Sequence, residues 1–286
     1  MKHLLLAICA YLVTLIPSQL IAMEISTTDT ELYTLHITGS VIKGDHDRIV
    51  NTIKEKGHFP LSVYISSPGG DVVEAIKIGR FIRDSLLNVY AVDECNSACV
   101  LIWSGGVERD GTAAFGLHRP IYEKTYFAGL TAVEASEKYN KLDVFTRSYL
   151  SDMNIPTAVI DRMMSTKSSD VDLLTPQEFI NMVGRTSPVY QEWIIAKCGE
   201  LTKSEDKDYS ATVKMEMVDH LSKLIGTNQE KSIYKGIIKQ NKSQANYAES
   251  LSPGYRDYLK NKMKGISECT QKAQSATREK VMSSYE

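Results

Sequence analysis

Residues 61–86 read LSVYISSPGGDVVEAIKIGRFIRDSL, and this stretch decides the fold class. Its first seven residues predict a strand, and the segment PGG then breaks that strand. The remainder carries apolar residues at helical spacing, which predicts an amphipathic helix. We expect the buried stripe of this helix to consist of Val72, Val73, Ile76, Ile78 and Ile82. A strand that passes through a glycine turn directly into a helix indicates an α/β architecture.

The same alternation continues on both sides of this stretch. Further strands are predicted at 32–41 (LYTLHITGSV), 88–94 (NVYAVDE) and 111–118 (GTAAFGLH). Helices are predicted at 45–57, which closes on a glycine, and at 97–106, which is apolar and ends in a glycine pair. Strands that alternate with helices favour right-handed crossovers and a layered α/β domain.

The pattern changes at about residue 130, after which helices follow one another. Segments 130–155 and 156–165 are predicted to be helical, and Thr175 is placed to cap a helix that opens with Pro176. Beyond 188 the chain is polar and helical. The predicted organisation is therefore a signal peptide (1–22), an α/β domain (23–187) and a helical C-terminal extension (188–286).

The N-terminus has the layout of a secretory signal peptide. Lys2 and His3 form a short basic start, residues 4–16 are apolar, and Ala22 is a small residue at a suitable cleavage point. We therefore expect a periplasmic or secreted protein, with an uncleaved membrane anchor as the alternative. A formal net charge of −2 gives no reason to expect a nucleic-acid partner.

Four cysteines remain after the predicted cleavage, an even number in an oxidising compartment. Cys95 and Cys99 are close neighbours and are expected to pair, which leaves Cys198 to pair with Cys269; free buried thiols are the alternative. The histidines are scattered and do not converge on the cysteines, so we expect no metal site.

Three short stretches could carry chemistry together. In SSPGGDV (66–72), two glycines after a strand can expose backbone N–H groups beside a helix start, although most such stretches are simple turns. In CNSAC (95–99), Ser97 stands between a strand and a helix, where it could cap the helix or act as a nucleophile. His118 closes the next strand and could be either a structural residue or the base that a serine nucleophile needs.

The order and spacing of these stretches resemble the Clp protease proteolytic subunit and, more broadly, the crotonase-like fold that signal peptide peptidase A shares. The similarity is strongest to exported bacterial members with a C-x-S-A-C pattern followed by G-x-H-R-P, and it covers residues 32–187. The resemblance implies a crotonase/Clp-protease-like layered core of β-α superhelical type. The flanking cysteines and the helical extension have no counterpart in the Clp protease.

The resemblance also implies roles for single residues. Ser97 takes the place of the nucleophile and His118 that of the general base, while the N–H groups of Gly70 and Ala98 form an oxyanion hole. The acid that orients the histidine is assigned to Asp170, with Asp172 as the alternative (a serine–histidine dyad or an inactive site remains if neither reaches His118).

Further expectations follow from the same likeness. Residues 130–165 could mediate homo-oligomerisation or simply cover the sheet. The chain contains no G-x-x-x-x-G-K-[ST] sequence, so no ATPase element is expected within it.

These observations predict an exported serine hydrolase, a peptidase without a cofactor that acts on a peptide or protein substrate. One alternative is a non-catalytic binding or scaffold protein on the same fold. Another is a crotonase-type acyl-transfer enzyme, against which export counts because coenzyme A is not expected outside the cytoplasm. Redox chemistry at Cys95 and Cys99 is disfavoured because their spacing is not C-x-x-C.

Overall fold

A computed structural model describes residues 22–28, 30, 33–122, 124–225 and 231–285. The predicted signal peptide lies outside these residues except for its last position. The chain forms two compact units. One comprises the residues up to Phe81 together with Asn88–Val183, and the other comprises Ile82–Leu87 together with Gly184–Glu286. The C-terminal part of the second unit begins at Gly184, four residues before the predicted boundary at 188. The unit also includes Ile82–Leu87, which covers the end of a helix from the α/β region.

Within the described residues, seven strands of the first unit form one mixed sheet in the order β1-β2-β3-β4-β6-β7, with β5 also paired to β4. Neighbours among β2, β3, β4 and β6 run parallel, as does the β4–β5 pair, whereas the outer pairs β1–β2 and β6–β7 are antiparallel. The strands are β1 (Glu24–Thr27), β2 (Leu35–Thr38), β3 (Val63–Ser67), β4 (Val89–Asn96), β5 (Arg109–Gly111), β6 (Ala114–Leu117) and β7 (Asp172–Leu174). The α/β class is confirmed, but β1 and β7 were not predicted, and the strand predicted at 111–118 is divided between β5 and β6.

Six α-helices and one 3-10 turn (Lys124–Phe127) accompany this sheet in the described part of the first unit. The helices are α1 (Asp45–Lys56), α2 (Val72–Asp84), α3 (Ala98–Ser104), α4 (Ala132–Asp152), α5 (Thr157–Ser165) and α6 (Pro176–Val183). The predicted cap of α6 is present, because Thr175 Oγ1 accepts a hydrogen bond from the N–H of Glu178. In α2, Ile76, Ile78 and Ile82 are buried as predicted, whereas Val72 is half-buried and Val73 is exposed, so the predicted stripe was wrong at its first two positions.

The core of the first unit fixes α3 in place. Every residue of α3 is buried. Its Trp103 packs against Phe115 of β6 and Phe179 of α6, with ring centroids 5.0 and 5.1 Å apart respectively. Rigid packing of this kind holds the N-terminal end of α3, and therefore Ser97, in one position relative to the sheet.

The second unit contains four helices within its described residues: α7 (Pro188–Cys198), α8 (Lys203–Leu224), α9 (Lys231–Ser250) and α10 (Pro253–Ser283). A disulfide between Cys198 and Cys269 joins α7 to α10, which confirms the predicted pairing. Over the described ranges, no helix combines the length and apolar character needed to cross a bilayer.

Glu205 connects two of these helices. It completes a capping box with Thr202 at the start of α8, and it accepts hydrogen bonds from Lys262 Nζ (2.7 Å) and the Tyr258 hydroxyl (2.9 Å) of α10. The hydrogen bond from Lys262 is the largest cause that lowers the pKa of Glu205 to about 2, from an ordinary value of 4.5. Because the folded state favours the carboxylate, this group stabilises the fold above pH 4.5, and the stabilisation is lost as the pH falls toward 2.

We expect Glu205→Gln to lower the melting temperature at neutral pH and to flatten its dependence on pH between 4.5 and 2. Thermal unfolding followed by circular dichroism across that range measures both effects. The control is Glu216→Gln, which removes one exposed ion pair with Lys260 and should change the melting temperature little. Equal melting temperatures for wild type and Glu205→Gln at neutral pH would contradict the assignment.

Candidate active site

Ser97 lies in a sharp turn between β4 and α3, and its backbone is strained. Its dihedral angles are φ 55° and ψ −119°, a sparsely populated combination for a residue with a Cβ, which costs on the order of 1–3 kcal/mol. Its N–H donates to the carbonyl of Gly116 (2.8 Å) in the neighbouring β6. Its side chain makes no capping hydrogen bond, so the simple explanation of Ser97 as a helix cap is not what the structure shows.

A disulfide closes the turn that carries Ser97. Cys95 and Cys99 are both fully buried and are bonded to each other, which confirms the predicted pairing. The strand before the bridge is irregular, because the β3–β4 register shifts between Ile65 and Ser67. Asp93, within the irregular part of β4, also has a positive φ of 56°. The bridge and the irregular strand together place the Ser97 turn beyond the end of regular pairing.

In the glycine pair after β3, the N–H of Gly70 points away from the adjacent segment around Val41. The Gly69 carbonyl accepts from the N–H of Val41 (2.8 Å), and the Val41 carbonyl accepts from the N–H of Asp71 (2.9 Å). In a trans peptide the C=O and N–H point in opposite directions. The N–H of Gly70 therefore points away from Val41, toward the side of the sheet where β4 lies.

Gly69 brings this amide against the Ser97 turn. A Cβ at position 69 would lie 2.7 Å from the Ser97 Cβ and 3.1 Å from the Ala98 nitrogen. Gly69 also has φ 105°, so both its conformation and its surroundings require glycine. Among the described hydrogen bonds, none uses the N–H of Gly70 or of Ala98. Two backbone N–H groups with no partner among the described hydrogen bonds therefore lie at the Ser97 turn, an arrangement that can hold an oxyanion.

The sequence pattern indicated Gly70 as a site residue but not Gly69. The signal was present, because two consecutive glycines follow a strand. Nothing in the sequence indicated which of them meets the serine turn, since that approach is set by the pairing of β3 with β4.

His118 follows the last residue of β6, and the Ser97 N–H bonds to Gly116 of the same segment, so the structure places the two candidate residues on adjoining segments. The Nδ1 atom of His118 lies 3.0 Å from the carbonyl oxygen of Arg119. A carbonyl only accepts hydrogen bonds, so this contact requires a proton on Nδ1. In the neutral ring the lone pair is then on Nε2, which is the atom that can accept a proton.

Neither acidic candidate hydrogen-bonds to His118 within the described residues. Asp172 lies in β7 and accepts from both Nε and Nη2 of Arg162, and the hydrogen bond from Arg162 lowers the pKa of this carboxyl. Asp170 accepts from the neighbouring Ser169 hydroxyl (3.2 Å). Within the described residues, the side-chain hydrogen bonds of both aspartates are accounted for without His118.

Two cavities adjoin these residues. The larger, of about 730 Å³, contacts Gly70 and is lined mainly by apolar and aromatic side chains. Four of them expose a large part of their surface, namely Ile42, Val73, Ile121 and Tyr126. The smaller, of about 310 Å³, contacts Arg119, and Leu142 borders both cavities. Gly70 lies in the wall of the larger cavity, whose apolar lining is suited to an apolar side chain.

Comparison with models of known protein families and with curated proteins finds no match. In the part of the chain that the structure describes, no group of three or more His, Cys, Asp or Glu residues could hold a metal ion.

We expect Gly69→Ala to destabilise the first unit and to displace the Ser97 turn, because the new methyl group would overlap the Ser97 Cβ. The matched control is Gly44→Ala, which has a similar φ of 98° but no heavy atom within 4 Å of the added Cβ. Urea unfolding should show Gly69→Ala to be less stable than Gly44→Ala by about 1–3 kcal/mol, the cost of overpacking. Equal stabilities would mean that the close approach of Gly69 to Ser97 is not constraining.

Proposed function

We propose that this protein is a serine hydrolase, specifically a peptidase, with Ser97 as nucleophile and His118 as general base. The observation that carries the proposal is the conformation of Ser97. A serine with φ 55° at the start of a fully buried helix, without a capping hydrogen bond, costs free energy that the fold must recover elsewhere. A nucleophile held on a strained strand-to-helix turn, with its hydroxyl exposed to substrate, is a known reason for such a conformation.

The reaction assigns one role to each group. His118 Nε2 accepts the proton of the Ser97 hydroxyl while Oγ bonds to the carbonyl carbon of the substrate. The carbonyl oxygen becomes negatively charged and accepts hydrogen bonds from the N–H groups of Gly70 and Ala98. When the C–N bond breaks, the imidazolium returns the proton to the leaving amine. Water then attacks the acyl-enzyme by the same steps and releases the acid.

The larger cavity supports a peptide substrate with an apolar side chain. The cavity touches Gly70, so a substrate whose carbonyl oxygen is bound there places the adjacent side chain within its reach. Tyr122 and Tyr126 stack on each other at one wall, with ring centroids 4.6 Å apart. Removal of an apolar side chain from water into such a cavity supplies binding free energy.

The two disulfides fit a secreted or periplasmic protein, since such bonds persist in oxidising compartments. The same observation weighs against a crotonase-type enzyme, which would need coenzyme A. A hydrolase and a non-catalytic scaffold differ in whether a serine reacts with an active-site-directed probe.

Labelling of purified protein with a fluorophosphonate probe tests the proposal. We expect the probe to modify wild type, and Ser97→Ala to abolish both labelling and peptide hydrolysis, with a fall in kcat on the order of 10⁴-fold or more. His118→Ala should reduce both strongly, because the hydroxyl loses its base.

The matched control is Ser252→Ala, which removes a serine that also precedes a helix but whose hydroxyl does cap it. This variant should label like wild type. Absence of labelling in folded wild type would favour the scaffold alternative, and labelling that persists in Ser97→Ala would exclude Ser97 as the nucleophile.

A further inference from the structure

We propose that the main-chain carbonyl of Arg119 orients His118, and that Val171 occupies the position from which a carboxylate would orient it in a triad. The inference rests on the proposed function and concerns how its base is held. It makes Arg119 a positioning residue through its backbone and identifies position 171 as the place where the site departs from a complete triad.

The first step is the hydrogen bond of the imidazole. The Nδ1···O distance of 3.0 Å to Arg119 leaves Nε2 as the basic atom. A general base that accepts a proton on Nε2 normally has Nδ1–H bonded to an acid. Here a neutral carbonyl takes that place, so the ring has the required tautomer without a negative partner.

The second step is the register of β6 and β7. Gly116 pairs with Leu173 and Leu117 pairs with Asp172 in this antiparallel pair. Continuing by one residue sets Val171 opposite His118, and paired residues lie on the same face of a sheet. A Cβ at Gly116 would lie 2.8 Å from Val171 Cγ1, so Val171 lies on the same face of the sheet as Gly116. His118 is two residues after Gly116 and therefore belongs to that face as well.

The third step concerns the two aspartates beside Val171. Because side chains alternate along a strand, residues 170 and 172 lie on the opposite face from 171 wherever the strand remains regular. Asp172 is held there by two hydrogen bonds from Arg162. The backbone of Asp170 is in a local turn, since its N–H donates to the Lys167 carbonyl (2.9 Å). Asp172 would have to release Arg162 to reach His118, and Asp170 lies outside the regular strand, where its carboxylate accepts from the Ser169 hydroxyl.

The consequence is electrostatic. When His118 accepts the serine proton it becomes an imidazolium, and a carbonyl dipole stabilises that charge less than a carboxylate does. Val171 is 49% exposed, so a carboxylate at this position would remain partly solvated and need not disturb the core. A single substitution should therefore supply the missing charge.

The experiment compares Val171→Asp with Val171→Asn, which has nearly the same shape but no charge. We expect Val171→Asp to increase the second-order rate constant for fluorophosphonate labelling of Ser97 by at least about tenfold relative to Val171→Asn. We also expect the acid limb of its pH–rate profile to move to higher pH, because a nearby carboxylate favours the protonated imidazole. Circular dichroism melts establish that both variants are folded.

Each outcome bears on a different claim. Equal rates and equal pH profiles for the two variants, with wild type labelled, would overturn this inference and leave the hydrolase proposal standing. A tenfold loss of labelling in Asp170→Asn would also overturn it, since that residue would then be the acid. If folded wild type and Val171→Asp both remain unlabelled, the proposed function itself fails.

A second measurement does not depend on activity or on a substitution at Val171. In protein labelled with ¹⁵N-histidine, the neutral ring of His118 should show a protonated Nδ1 and an unprotonated Nε2, in contrast to the tautomer that free histidine prefers. Assignment of His118 by comparison with His118→Ala makes the readout specific. Observation of the opposite tautomer would overturn the inference.

Discussion

The candidate site depends on the close approach of Gly69 to the turn at Ser97. The end of β3 and the end of β4 come so near that no side chain fits between them, since a Cβ on Gly69 would lie 2.7 Å from the Ser97 Cβ. This approach brings the N–H of Gly70, after β3, to the same turn as the N–H of Ala98, at the start of α3. The Val41 N–H donates to the Gly69 carbonyl, and the Val41 carbonyl accepts from the Asp71 N–H. These two hydrogen bonds fix the orientation of the Gly69–Gly70 peptide, and therefore the direction of the Gly70 N–H.

The contacts around Ser97 hold its backbone in the strained conformation. A residue in a sparsely populated conformation persists only where the structure around it leaves no easier alternative. Here the disulfide between Cys95 and Cys99 closes the turn, the N–H of Ser97 is held by Gly116, and α3 is anchored by its wholly buried side chains. The unusual bracketing of one serine by two cysteines therefore has a mechanical explanation, because the bond spans the strained residue and ties strand to helix.

The geometry around His118 explains how a hydrolase could work from this fold without an aspartate in contact with its base. The main-chain carbonyl of Arg119 sets the tautomer of His118. The two nearby carboxylates have other partners: Asp172 pairs with Arg162, and Asp170 accepts from the Ser169 hydroxyl. A base oriented in this way is correctly protonated but lacks a negative partner.

The sequence by itself determined the fold class, the helices α1 to α3, the cap of α6, the pairing of the cysteines as a stated preference, and the identities of Ser97 and His118 as chemically interesting residues. Most of these features are local, because strand alternation, helical periodicity, caps and the Cys95–Cys99 bridge involve residues close together in the chain; the Cys198–Cys269 pairing, with a sequence separation of 71, followed only from the two cysteines that remained.

Only the tertiary structure decided that Gly69 meets the serine turn, that Val73 is exposed at a cavity instead of buried, and that the short strand β7 lies beside β6. The register of β7 in turn placed Asp172 with Arg162 and set Val171 opposite His118. The physical reason is that pairing register and face alternation depend on which segments, distant in the chain, come to lie side by side, and a shift of one residue reverses every side chain.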